Sequence, residues 1–364
     1  MIKKQQYSKL NISCWNSYMK TITKGKNMNN FKKIGLTALA GSLAVVSANA
    51  VELSVSGKTE VTYVSKKDGA VGNPFGMGNS ITFSGSGDVN GMTATYTAAI
   101  NDSGQANSNT SEVFGSSSLM LDMGDMGTVG FDQGVGEFGV STIDDKMPYA
   151  YEEIWTYVGT SNGLRAAGGT NVLGYKNTVM GYTFSLELDP GHTNNSTAGA
   201  SGDGGSTGSS NADSGYNFAV TGSPYEGFNA GIGYGVEEDP TQAANVGNQP
   251  EDDTFSTGFV TYAYGAATVG YQHSFGGGGT VGQTSNEVDI YGVSYSVNEN
   301  FAVSYNEMTN EYGLSSNTEK TTGLGASYTL GSASLRVLAS SGADIGGVTN
   351  VKEDHVEISL MLAF

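Results

Sequence analysis

The last ten residues, "HVEISLMLAF" (355–364), alternate strictly, with Val356, Ile358, Leu360, Leu362 and Phe364 on one side and His355, Glu357, Ser359, Met361 and Ala363 on the other. A period of two held over ten residues is a β-strand whose two faces meet different surroundings. The pattern recurs along the chain, as in Tyr182-Phe184-Leu186-Leu188, Tyr291-Val293-Tyr295-Val297 and Ala333-Leu335-Val337-Ala339. Helical periodicity is scarce beyond residue 50, and no apolar run there reaches the roughly 20 residues a membrane helix needs. The alternation predicts sixteen strands, near 51–64, 79–89, 91–101, 115–123, 127–133, 163–175, 178–188, 214–223, 227–237, 254–264, 266–275, 287–297, 300–309, 320–330, 332–341 and 355–364. A further hairpin within 134–162 or 189–213 would make eighteen.

The connections alternate in length. Tight ones carry turn chemistry, such as "VNGM" (89–92), "GDMG" (124–127) and "LGSA" (330–333), and long ones lie between them, near 65–78, 102–114, 134–162, 189–213, 238–253, 276–286, 310–319 and 342–354. Short turns on one rim and long loops on the other are the layout of an all-β transmembrane antiparallel barrel. Closure follows from the surroundings: in hydrocarbon every backbone N–H and C=O needs an internal partner, and an open sheet leaves an edge without one. A soluble β-sandwich or propeller also alternates. It does not account for strand faces nearly free of charge, or for 20 Tyr and 14 Phe recurring toward strand ends as interfacial girdles. Small inward positions such as Asn229, Gly231, Gly233 and Gly235 predict an open lumen rather than a packed one.

Charge is unevenly placed. Residues 1–50 hold eight lysines and no acid, so the rest keeps nine of the 17 basic residues and all 35 acidic ones. A body this acidic repels nucleic acid phosphates, which excludes that class of partner. Within "MNNFKKIGLTALAGSLAVVSANA" (28–50), Lys32-Lys33 precede an apolar run and a small-x-small end, Ala48-Asn49-Ala50. This is the pattern of a secretory signal cut after Ala50. The expected organisation is an extension at 1–27 that does not belong ahead of a signal, a signal at 28–50 and a barrel at 51–364. Cys14, the single cysteine, falls in the extension, so the exported part carries no disulfide and no cysteine–zinc site.

Catalytic chemistry has little support. His192, His273 and His355 are scattered, with no H-E-x-x-H or G-x-S-x-G around them, so no enzyme activity is expected. "GVGEFG" (134–139) fits G-x-G-x-x-G, but the acidic, Pro-containing stretch after it is not the helix a dinucleotide site requires. No cofactor is expected, although paired loop acids could hold Ca²⁺, which takes six to eight oxygens.

On its signal, its first strand "VELSVSGKTEVTY" (51–63) and its terminal Phe364, the chain resembles the general porins of Gram-negative bacteria, especially the α-proteobacterial type. The resemblance implies a water-filled outer-membrane channel for ions and small hydrophilic solutes, usually a homotrimer in outer-membrane lipid. It also implies that Phe364 closes the barrel and is read by the barrel assembly machinery. Porins fold the loop after the fifth strand into the lumen; here that loop is 134–162, and Glu137-Phe138-Gly139 matches a step found in it, without the preceding proline. The resemblance therefore makes Glu137, Asp144, Asp145, Glu152 and Glu153 an acidic constriction. Facing it, basic wall residues are expected at Lys58, Arg336 and, beside a less regular strand, Arg165 and Lys176, with a structural salt bridge in the wall as the alternative role of Lys58 and Arg336. Parity puts Lys58 and Arg336 on polar faces, since a charge on the lipid face costs about 2–4 kcal/mol at mid-depth. So few basic groups among so many carboxylates predict a preference for cations. A non-conducting structural or adhesive barrel is the alternative.

Overall fold

A computed structural model describes residues 52–66, 72–102, 116–144, 146–156, 158, 170–192, 213–237, 252–277 and 285–364. The expected extension, signal and cleavage site lie outside these residues.

The chain forms β1 (Glu52–Lys66), β2 (Phe75–Val89), β3 (Met92–Asp102), β4 (Ser116–Asp122), β5 (Thr128–Gln133), β6 (Thr170–Val179), β7 (Tyr182–His192) and β8 (Asp213–Gly222). It continues with β9 (Phe228–Glu237), β10 (Asp253–Tyr264), β11 (Ala267–Gly277), β12 (Asn286–Ser296), β13 (Phe301–Tyr312), β14 (Thr318–Leu330), β15 (Ala333–Ala343) and β16 (Lys352–Ala363). Each strand pairs antiparallel with its neighbours in sequence, and β16 returns to β1, closing a barrel of sixteen strands. No helix among the described residues is long and apolar enough to cross a membrane.

The seam is continued past the last strand residue by a backbone pair in which Gly57 N donates to Phe364 O at 2.8 Å and Phe364 N donates to Gly57 O at 2.9 Å. The Phe364 ring lies where a side chain on Gly57 would stand, 2.5 Å from an ideal Cβ.

The two faces of the wall invert the usual order of a protein in water. Large apolar side chains point out and stay accessible, among them Leu188 (58 %), Ile232 (62 %) and Leu324 (62 %), while Ser185, Asn217, Asn306, Thr321 and Ser359 are buried on the inner face. Contiguous apolar surface on this scale is what a lipid-facing wall presents. The outer face is not uniformly apolar. On the loop-ward half of β11–β14 it carries His273, 2.9 Å from Asp289, and Lys320, 2.6 Å from Glu307, each polar group held by a partner on a neighbouring strand.

Two neighbouring strands, β6 and β7, are displaced from the sequence-based expectation. β6 spans Thr170–Val179, not 163–175, and β7 spans Tyr182–His192, not 178–188. The turn into β7 is Met180-Gly181, with φ of +53° and +83°, while Lys176-Asn177 continues the strand. Methionine is a poor residue for a left-handed position, so the pattern conceals a tight two-residue turn there. By contrast, Asn90-Gly91 between β2 and β3, at +54° and +81°, carries the residues such a turn favours.

Candidate constriction in the barrel lumen

The loop after β5 turns into the lumen because the last turn of that strand is built to aim it. Asp132 is buried, and its carboxylate accepts the backbone N–H of Val135 at 2.7 Å and of Glu137 at 2.6 Å. Gly134 and Gly136, at φ +81° and +84°, supply the left-handed conformations the bend requires. Glu137 then pairs with Lys176 of β6 at 2.7 Å, whose ammonium also stands 5.6 Å from the centre of the Phe138 ring.

From there the loop runs round the inside of the wall. A 3₁₀ turn, Gly139–Ile143, is pinned by polar groups of β7 and β8: Gly139 N donates to Ser185 Oγ (2.8 Å) and Val140 N to Asn217 Oδ1 (2.7 Å). Asn217 is itself oriented by donating to Glu187 at 3.1 Å. Further on, Ala150 N donates to Ser304 Oγ of β13, and Asn306 Nδ2 donates to the Pro148 carbonyl.

Between these anchors the loop buries apolar side chains against bare backbone. Phe138, Val140, Ile143, Met147, Ile154 and Val158 are almost wholly inaccessible. An ideal Cβ at Gly174 would stand 1.9 Å from the Phe138 ring, one at Gly233 2.9 Å from Val140, one at Gly292 2.8 Å from Pro148, one at Gly323 2.5 Å from Ile154, and one at Gly342 2.4 Å from Val158. These inward glycines form the bed of the loop. The expectation of an open lumen at Gly231, Gly233 and Gly235 is corrected accordingly, since Phe259, Val140 with Ile143, and Phe255 fill the space in front of them.

The far end of the loop clamps onto the barrel seam. The Tyr151 hydroxyl lies 3.1 Å from Glu60 of β1 and 3.1 Å from Glu357 of β16. Arg336 of β15 donates to Glu60 and to Ser359, and its guanidinium lies 4.5 Å from the centre of the Tyr151 ring. Ser359 also donates to Glu60. The Tyr151 hydroxyl is held protonated, its pKa raised first by burial and then by the carboxylates around it. Glu152 lies against Glu357. Burial, followed by its hydrogen bond with Glu357 and that group's charge, pushes Glu152 up to about 9. Glu152 Oε1 and Glu357 Oε2 are both buried with no other donor, and a proton on Glu152 supplies the one the two carboxyls lack.

The expected site residues thus take different places. Glu137 is in an ion pair at the start of the loop, Glu152 is half-buried against Glu357 with its pKa raised to about 9, Asp144 is exposed and Glu153 half-buried. Arg336 faces the lumen within the clamp, and Lys58 is exposed on the inner face of β1, in register with Ser80 and Ala363. Asp145 and Arg165 lie outside the described residues. Two contributors escape the sequence reading: Glu60 and Glu357, whose strands are distant in sequence and meet only at the seam. Among the described residues, no three His, Cys, Asp or Glu are grouped to hold a metal ion.

With this geometry in hand, comparison with known proteins is direct. A sequence model of the family described as Gram-negative porin matches residues 35–343. The chain belongs to the Gram-negative porins. No curated protein matches it in sequence. Among solved structures, a porin refined at 1.8 Å resolution is 14 % identical, aligns over 86 % of this chain and all of its own, and has a TM-score of 0.60. An anion-selective porin from Comamonas acidovorans is 17 % identical over 86 % of this chain and all of its own, at 0.59. OmpT, an outer membrane protein of Vibrio cholerae in a trimer form, is 12 % identical over 87 % of this chain and all of its own, at 0.62. At such identities the likeness of these structures lies in the sixteen-strand fold. This porin's family and fold are those of outer-membrane channels for small solutes, which are not enzymes.

Proposed function

We propose that this porin is a passive diffusion channel for ions and small hydrophilic solutes, narrowed by the acidic loop at 134–162 and biased toward cations. The reading rests above all on the way the lumen's charges are paired. Arg336 is held by Glu60 and Lys176 by Glu137, so two of the basic groups nearest the loop are matched by carboxylates, and beyond residue 50 all 35 acidic residues face only nine basic ones. In a narrow polar passage the charge left accessible sets which ion dwells there.

Export through the inner membrane by the segment at 28–50, assembly by machinery that reads Phe364, residence in outer-membrane lipid and trimer formation complete the proposal, on the strength of the family. Residues 51–364, refolded into a planar bilayer under a salt gradient, test it. A reversal potential of cationic sign is expected, shrinking in Asp144→Asn. An anionic sign overturns the charge preference, and the absence of conductance steps overturns the channel, leaving a structural barrel.

A further inference from the structure

The outer wall of the barrel is not evenly packed. Across β7–β11 it is scored by an apolar groove of about 460 Å³, within the size range of small-molecule sites. Register explains how it arises. On one outward row Tyr182 of β7 stands opposite Gly222 of β8, Gly222 opposite Ala230 of β9, and Ala230 opposite Val260 of β10. On the next row toward the loops Val220 stands opposite Ile232, Ile232 opposite Gly258, and Gly258 opposite His273 of β11. The small residues fall at Gly222 and Ala230 on the first row and at Gly258 on the second, so the floor steps from one row to the other between Ile232 and Val260, both exposed on the outer face.

Neighbouring strands lie about 4.8 Å apart and outward residues of one strand about 7 Å apart, so four steps from β7 to β11 give a groove about 19 Å long and no wider than one side chain. It starts at Tyr182, beside the short-turn rim, and ends at His273, where Asp289 and Glu287 begin the polar part of the outer face. It therefore lies within the apolar band that meets hydrocarbon.

Shape and surroundings together choose the occupant. A second copy of the chain would bring the convex wall of another barrel, which spans so narrow a channel without entering it, whereas a flexible hydrocarbon chain can lie along the floor. Bulk lipid is as apolar as the groove, so the hydrophobic effect gives no preference. Retention comes from the carbon contacts that the floor and both sides offer, each small and together appreciable. We propose that this groove is a binding site for one acyl chain of a membrane phospholipid. The site goes beyond the channel reading, and it requires only that the barrel stand in lipid.

Gly258 offers the test. An ideal Cβ there has its nearest heavy atom, Ile232 Cγ2, at 3.6 Å, an ordinary contact, so a larger side chain has the groove itself to enter. The native porin, stripped of lipid in detergent, is titrated with dipalmitoyl phosphatidylethanolamine and weighed by native mass spectrometry, with conductance recorded on the same preparation. The native protein should retain phospholipid. Gly258→Leu and, separately, Ala230→Leu should each lower occupancy by about tenfold, the loss of on the order of ten carbon contacts, and should conduct like the native channel because both positions face away from the lumen. Gly85→Leu, on the outer face of β2 and outside the groove, should bind as the native porin does. A native porin that retains no phospholipid overturns the site whatever the variants do. So does equal occupancy in all four proteins, and so does a native oligomer that Gly258→Leu takes apart without any change in bound phospholipid, which would make a second copy the occupant.

Discussion

At the scale of single residues, the loop acids divide by surroundings rather than by type. Glu152 and Glu153 are neighbours in sequence, yet Glu152 is pressed against Glu357 and has its pKa raised to about 9. Because the folded protein binds this proton more tightly than an unfolded chain does, its contribution to stability is complete below the ordinary carboxylate range and is lost as pH rises toward about 9. Glu152→Gln should therefore leave the reversal potential near neutral pH unchanged, because the native side chain carries no charge there. Above about pH 9 the two proteins should diverge. The native channel gains a second negative charge beside Glu357 and its loop loosens, read as noisier conductance, while the glutamine form stays quiet. Superimposable records across that range would show that the carboxyl pair does not hold the loop.

At the scale of elements, the loop and its bed are one structure written in two places. The loop supplies Phe138, Val140, Ile143, Ile154 and Val158, and the wall supplies glycines at matching positions on β6, β9, β14 and β15. Gly174→Ala places a methyl group against the root of the Phe138 ring, which has nowhere to turn. About 1–3 kcal/mol of stability should be lost on urea unfolding, the usual range for overpacking, and conductance should rise as the start of the loop lifts away. Gly85→Ala is the control, for its nearest heavy atom beyond the adjoining residues is 3.9 Å away. Equal effects from both would mean that glycine serves the strands rather than the loop.

Strands, turns and closure were legible in the sequence because each is local: a two-residue period, a pair of turn residues, an aromatic end. The β6–β7 turn was hidden by Met180, and the glycine bed was misread as open space, because a missing side chain says nothing about what fills its place. Of the clamp, only the inward Arg336 and a wall salt bridge for it were legible, not its partners. Glu60, Arg336, Glu357 and Ser359 sit on three strands drawn from both ends of the chain, and only closure makes them neighbours.

At the scale of the whole molecule, everything depends on the seam between β1 and β16. Pairing from Lys58↔Ala363 to Lys66↔His355 is the longest-range contact in the barrel, so it is the step that removes the last free edges. Phe364 extends that pairing by two backbone hydrogen bonds to Gly57 and covers the glycine with its ring. Its closing of the sheet and its proposed marking of the chain for the assembly machinery thus fall on one residue, and the two can be separated. Deleting Phe364 removes both, whereas Gly57→Val displaces the ring and leaves the terminal aromatic in place. In synthetic bilayers, where no machinery is present, both variants should refold more slowly than the native chain and, once folded, conduct alike. In cells the deletion should accumulate far less assembled porin than Gly57→Val. If the two variants assemble equally well in cells, Phe364 acts only through the seam. If the deletion refolds at the native rate in synthetic bilayers, the seam does not need it, and its place at the end of an alternating strand is owed to recognition alone.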